Sequence, residues 1–189
     1  MQFCGRTKIL KDLEAQHQCI LKKDYDGSPY HYCQSNEVRL IGPHRIGKTS
    51  ICKKFTENVK NNIYINLQDL SISSPKKSSA SMVQGIGNHI LECFPEVYNF
   101  QEDRVSLRAL IQRAVEARLD ATFVVVVDEI ETAKNVLGES DFLLFRRYLI
   151  GSFEPFQGML IMIERTDWAK RDRELMEDSW FAISSNDVF

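Results

Sequence analysis

A chain of 189 residues, 43% hydrophobic and 26% charged, has apolar material for one domain with a single core and too much of it for a disordered segment. The formal charge of −2 and pI near 6.1 exclude a general electrostatic pull toward nucleic acid or anionic membrane, leaving only local basic patches to consider. No apolar run reaches the roughly 20 residues that cross a bilayer, and residues 1–6 lack the apolar segment of a secretory signal. Five scattered cysteines (Cys4, Cys19, Cys33, Cys52, Cys93) form no C-x-x-C pair, and His31-x-Cys33 is too isolated for a metal site. A reducing, cytoplasmic setting is therefore expected.

In chain order, Ile9, Leu10, Leu13, Ile20 and Leu21 recur at helical spacing and predict a helix over 7–22. Residues 23–35, with Asp-Gly-Ser-Pro inside them, read as a loop, and 37–41 as a short strand. Ile51, Phe55 and Val59 predict a helix over 49–60. Residues 62–66 alternate like a strand, and 67–79, rich in Ser and Lys, read as a loop. Met82, Ile86 and Ile90 share one face of a helix over 81–94 that Pro95 ends. Asp103 is the expected N-cap of a helix burying Leu107, Leu110, Ile111, Ala114 and Val115.

The β-branched run at 121–127 marks a strand covered on both faces. A helix over 141–153, a buried strand over 159–163, a helix over 168–177 and a last strand starting at 180–183 complete the series. The alternation predicts an α/β fold of three α/β/α layers around a central parallel sheet. No internal repeat appears, and the chain is expected to close after that last strand without room for a second domain.

Residues 42–50 carry the chemistry: Gly42, Pro43, His44, Arg45, Ile46, Gly47, Lys48, Thr49 and Ser50. The first eight match G-x-x-x-x-G-K-[ST] without a mismatch, between an expected strand and an expected helix. A triphosphate is a dense anion, best held by several inward-pointing backbone N–H groups. Gly42 and Gly47 permit the tight path and close approach that this requires. Lys48 supplies a point charge for the β- and γ-phosphates, Thr49 a hydroxyl ligand for Mg²⁺, and the helix its positive end. ATP with Mg²⁺ is the expected ligand pair.

Hydrolysis needs a second metal anchor and a group that orients water. Asp128 and Glu129, directly after Val124–Val127, stand at the C-terminal end of an expected central strand, where ligands sit in open α/β sheets. Asp128 is the expected Mg²⁺ partner. Glu129 is the expected acceptor for the proton of the attacking water, and with Lys48 completes the expected catalytic pair. The alternative is that both acids begin a loop or cap the next helix. An Asn-Lys-x-Asp base reader and an Asp-x-x-Gly segment, the marks of GTPases, do not occur after residue 49.

With both motifs in hand, the chain resembles P-loop ATPases of the AAA+/STAND group, in particular the archaeal and bacterial branch related to initiator-like AAA+ modules. The resemblance rests on Phe3-Cys4-Gly5-Arg6, on 42–50, and on 123–129. It implies that Gly5 and Arg6 lie beside the adenine and that Thr166 or Arg165, after the strand at 159–163, contacts the γ-phosphate. It also implies an arginine finger, for which Arg146 and Arg147 are candidates against the reading of a solvated helix face. Members normally continue into a helical lid or winged-helix domain; this chain is expected to be a core module incomplete at its C-terminus.

The expected role is an ATP-hydrolysing switch, with ATP and ADP as ligands and a homo-oligomer or partner protein as possible company. The alternatives are a non-catalytic nucleotide-binding module and a DNA-associated ATPase. For DNA, Lys53-Lys54 and Lys76-Lys77 are too short a track, and no membrane is implied. Gly85-Ile86-Gly87 lacks the third glycine of a dinucleotide fingerprint.

Overall fold

Four parallel strands and seven helices are seen in the computed structural model, which describes residues 6–21, 36–73, 78–94, 106–117, 123–153 and 158–165. The chain runs α1 (Thr7–Leu21), β1 (Glu37–Gly42), α2 (Lys48–Thr56), β2 (Asn61–Asn66), α3 (Leu67–Ser73), α4 (Ser79–Cys93), α5 (Leu107–Ala117), β3 (Phe123–Asp128), α6 (Ile130–Leu137), α7 (Glu139–Phe153) and β4 (Gly158–Arg165). The strands stand side by side in the order β1-β4-β3-β2. The two inner strands, β3 and β4, are apolar up to their C-terminal ends, where Asp128, Glu164 and Arg165 stand, and are buried along almost their whole length. The outer strand β2 alternates buried and half-buried positions, as a strand with one covered face does.

Period-two alternation sorts the sheet into two cores. Ile63, Ile65, Val125, Val127, Leu160 and Met162 face α4, α5, α6 and α7, meeting Ile86, Ile90, Ile111, Phe145, Leu149 and others. Val38, Leu40, Val124, Val126, Ile161 and Ile163 face α1 and α2, meeting Leu13, Ile20, Ile51 and Phe55. Helices thus cover both faces of a parallel sheet, the three-layer architecture expected. Each large apolar side chain buried this way contributes about 1.5–3 kcal/mol of transfer free energy.

Two helices form where none was expected. At 67–73, read as loop for its serines, Leu67 is fully buried and Leu70 packs on the core, while the Asn66 side chain accepts the Gln68 N–H at 2.9 Å and starts the turn. Apolar anchoring outweighs the weak intrinsic propensity of serine. Helix α6 follows the acidic pair directly, anchored by buried Ile130 and Ala133, and stops where Gly138 turns to φ 76.

Helix α4 begins with a reciprocal capping box, the Ser78 and Ser81 hydroxyls each accepting the other's backbone N–H. Ser106 Oγ accepts the Ala109 N–H at 3.2 Å and caps α5. The expected cap Asp103, the expected elements at 168–177 and 180–183, and His31, Cys33, Lys76, Lys77 and Pro95 lie outside the described residues. Among the described residues, no helix is long and apolar enough to cross a membrane.

Arg146 overturns the reading of a solvated face. It is 3% exposed and pairs with Glu37 at 3.3 Å, at the N-terminal end of β1, whereas the phosphate-type loop leaves the C-terminal end. It is therefore not part of a solvated helix face. Its neighbour Arg147 is exposed.

Candidate functional site

Because all four strands are parallel, their C-terminal ends form one rim, and the loop 43–47, Lys48, Thr49, Asp128, Glu129 and Arg165 lie along it. Beyond β1 the chain turns through 43–47, with Arg45 at φ 60 and Gly47 at φ 91. Gly47 leads into α2 and its carbonyl accepts the Ile51 N–H at 3.0 Å. A side chain at Gly47 would be strained by that backbone. At Gly42 the constraint is space: a Cβ would sit 3.3 Å from Ile46 Cγ2. Lys48 folds back over the loop, its Nζ donating to the Gly42 and Pro43 carbonyls at 2.8 Å each.

On β3, Val124 and Val126 face α2, so the same parity turns Asp128 toward α2. There Thr49 Oγ1 donates to Asp128 Oδ2 at 2.6 Å, across 79 residues of sequence. Tyr64, of the same face on β2, donates its hydroxyl to that same oxygen. Asp128 Oδ1 accepts the Glu129 N–H at 2.8 Å. Asp128 is only 5% exposed, and three donors compensate its burial. Burial, together with the Asp128 carboxylate, raises the Tyr64 phenol above its ordinary range, so it stays a donor.

Glu129 adopts a left-handed backbone, φ 58 and ψ 47. That sharp turn sends the chain from β3 into α6 and brings Glu131 back into the rim. A cleft of about 310 Å³ lies between loop and strands, lined by residues 44–50, Asp128, Glu129, Glu131, Ile163, Glu164 and Arg165. Desolvation lowers the Lys48 ammonium, opposed by Glu131, Asp128 and Glu129. Desolvation raises Glu131 to about 7, with Glu129 adding to it and Arg165 and Lys48 opposing. Glu164 is committed elsewhere, forming a two-pronged pair with Arg39.

The structure therefore brings His44, Arg45, Ile46, Gly47, Lys48, Thr49, Ser50, Asp128 and Glu129 to one cleft; Gly42 and Pro43 do not line it but accept the Lys48 ammonium through their carbonyls. Arg165, expected beyond its strand, is the last residue of β4 and lines the cleft. Arg6 begins α1 with φ 70, its carbonyl accepting the Leu10 N–H, and is not among the cleft-lining residues. Gly5 and Thr166 lie outside the described residues. Sequence reasoning missed Glu131, Tyr64 and the pairing of Glu164. Tyr64 was within reach, since alternation along β2 gives it the parity of Val126; Glu131 required knowing that α6 follows at once.

Thr49 and Asp128 offer hard oxygen donors of the kind Mg²⁺ takes, alongside water and phosphate oxygens. The loop offers convergent backbone donors and an ammonium to a polyphosphate.

The Walker-type ATPase PABY2304 of Pyrococcus abyssi has the same fold at a TM-score of 0.62, with 14% sequence identity over 93% of this chain and 49% of that one. The fold is that of a P-loop ATPase. PCH-2 of C. elegans aligns at a TM-score of 0.46 and 15% identity, over 88% of this chain and 39% of that one. This chain spans about half the length of the first neighbour and less of the second. No family model and no curated protein matches the sequence.

Proposed function

We propose that this P-loop ATPase-fold chain binds ATP with Mg²⁺ and hydrolyses it, acting as a nucleotide-dependent switch of the AAA+/STAND kind. The observation that carries the reading is the 2.6 Å bond from Thr49 Oγ1 to Asp128 Oδ2. It places the loop hydroxyl and the strand acid together beside the lysine, at the mouth of a helix. That bond also supports the fit of a metal, because two oxygen donors already converge where one would be shared.

In this reading the backbone N–H groups of 45–49 hold the β- and γ-phosphates, and Lys48 leaves the Gly42 and Pro43 carbonyls for a phosphate oxygen. Arg165, at the opposite wall, meets the γ-phosphate. Thr49 and Asp128 hold Mg²⁺, which when bound offsets phosphate charge. Glu129 orients a water and accepts its proton as the water oxygen bonds to the γ-phosphorus. The bond from that phosphorus to the bridging oxygen breaks, and ADP and inorganic phosphate leave. Loss of the γ-phosphate removes the contact to Arg165, so the two nucleotide states favour different conformations.

Phosphate release from the purified protein with Mg-ATP, compared with Glu129→Gln, tests this. The variant is expected to keep ATP binding by calorimetry and lose turnover; equal turnover in both removes the catalytic assignment. A second reading, nucleotide binding without turnover, is supported by the hold of the Gly42 and Pro43 carbonyls on Lys48. It expects thermal stabilisation by ATP and ADP alike, with no phosphate release above background.

A further inference from the structure

Glu131 has no part in the chemistry above, yet it places a buried carboxyl in the cleft. Its side chain is 7% exposed, with Oε1 3.9 Å from Arg165 Nε and Oε2 buried without a hydrogen-bond partner. A buried carboxylate costs more than a Gln or a Leu in the same place unless it does something for its surroundings. Packing does not ask for it: Ile130 and Ala133 anchor α6. Among the acids around Lys48, Glu131 has the largest electrostatic effect on the ammonium. It thus acts on both Lys48 and Arg165.

Arg165 arrives on β4, which runs between β1 and β3, so its guanidinium emerges between the phosphate-type loop and the acidic pair. The side chain is long and 43% exposed. Asp128, Glu129 and Glu131 line the same cleft as Arg165, while Glu164 is taken by Arg39. A guanidinium settled on Asp128 or Glu129 would cover the metal anchor or the water-orienting group.

Resting on the ATPase reading, we propose that Glu131 is a positioning residue: it draws Arg165 to the α6 wall, clear of Asp128 and Glu129 and ready for the terminal phosphate of a nucleoside triphosphate. The 3.9 Å contact is looser than a hydrogen-bonded pair. Burial raises the carboxyl above its ordinary range, which weakens the hold further in the same sense.

The test is a double-variant cycle with Glu131→Gln, Arg165→Ala and the pair combined, read by calorimetry with Mg-ADP and Mg-ATP and by phosphate release. Glu131→Gln is expected to lower both the ATP-over-ADP preference and kcat by about tenfold, with KM changing much less. In the Arg165→Ala background the same substitution is expected to add no further loss, and Glu131→Asp to restore part of it in the presence of Arg165. Additive losses overturn the proposal, as does wild-type preference and kcat in Glu131→Gln. Should Glu131→Gln fail to fold, the same cycle run with Glu131→Asp decides by the same criterion. Nucleotide binding with additive variants overturns this proposal alone; a wild-type protein that binds neither nucleotide overturns the ATPase reading and this one with it.

Discussion

Arg39 on β1 and Glu164 on β4 meet fork to fork beneath the cleft, with Arg39 Nε donating to Glu164 Oε1 at 2.7 Å and a second nitrogen to Oε2. Both side chains are almost fully buried, so each is the other's compensation for lost water. The pair ties the edge strand to the central one and withholds Glu164 from the cleft it borders.

Breaking that pair is expected to be costly. Arg39→Met leaves Glu164 buried and uncompensated, and should lose about 3–5 kcal/mol in urea unfolding. Arg39→Met combined with Glu164→Met should recover most of that loss, because no charge is then left stranded. Equal losses in the single and double variants would show that the pair is not what stabilises the β1–β4 seam.

Thr49 shares an oxygen of Asp128 with Tyr64. Thr49→Ala is expected to weaken Mg-ATP binding by about tenfold or more while changing binding of ATP in EDTA much less. Calorimetry with and without Mg²⁺ measures the difference. An equal loss in both conditions would mean that the hydroxyl serves the loop rather than a metal.

Glu129 holds a left-handed backbone at φ 58, which costs a non-glycine residue about 1 kcal/mol. Glu129→Gly should therefore melt no lower than wild type, and up to about 0.5–1 kcal/mol more stably, while releasing no phosphate. A clear destabilisation would show that the side chain, not the turn, is what the fold needs at this position.

The pH dependence of stability has a definite sign at Glu131. Burial raises it to about 7 in the folded chain, against about 4.3 in an unfolded one. Between those values the folded state holds a proton that the unfolded state has released, so this group's contribution to stability falls as pH rises through the window and is level above about 7. Glu131→Gln lacks the effect, and its stability advantage over wild type should grow by on the order of 1–2 kcal/mol from pH 4.5 to pH 7.5, less than the full linkage value because Arg165 opposite is open to solvent. Urea unfolding at four pH values across that range measures it; a constant difference would place Glu131 in contact with water.

Much of the architecture was legible in the sequence where one local pattern decides the outcome. The unbroken β-branched run of β3 announced a strand covered on both faces, and its four valines are fully buried. The glycine spacing of 42–49 announced a strand-to-helix loop, and Gly47 has the positive φ it implied. Where two local tendencies competed, the reading failed. The serines of 67–79 suggested loop, but buried Leu67 and partly buried Leu70 fold α3. Arg146 carried the helical spacing of an exposed residue beside Arg147, yet its partner Glu37 lies 109 residues away.

Sequence by itself determined the four strands, most of the helices and the two motif segments, because backbone conformation and side-chain direction depend on neighbours within a few residues. Only the tertiary structure decided that β4 runs between β1 and β3, that Thr49 and Tyr64 converge on one oxygen of Asp128, that Arg39 claims Glu164, and that Glu131 turns in beside Arg165. Those relationships join segments tens of residues apart, and the burial of two cores on opposite faces of one sheet selects among the possible pairings.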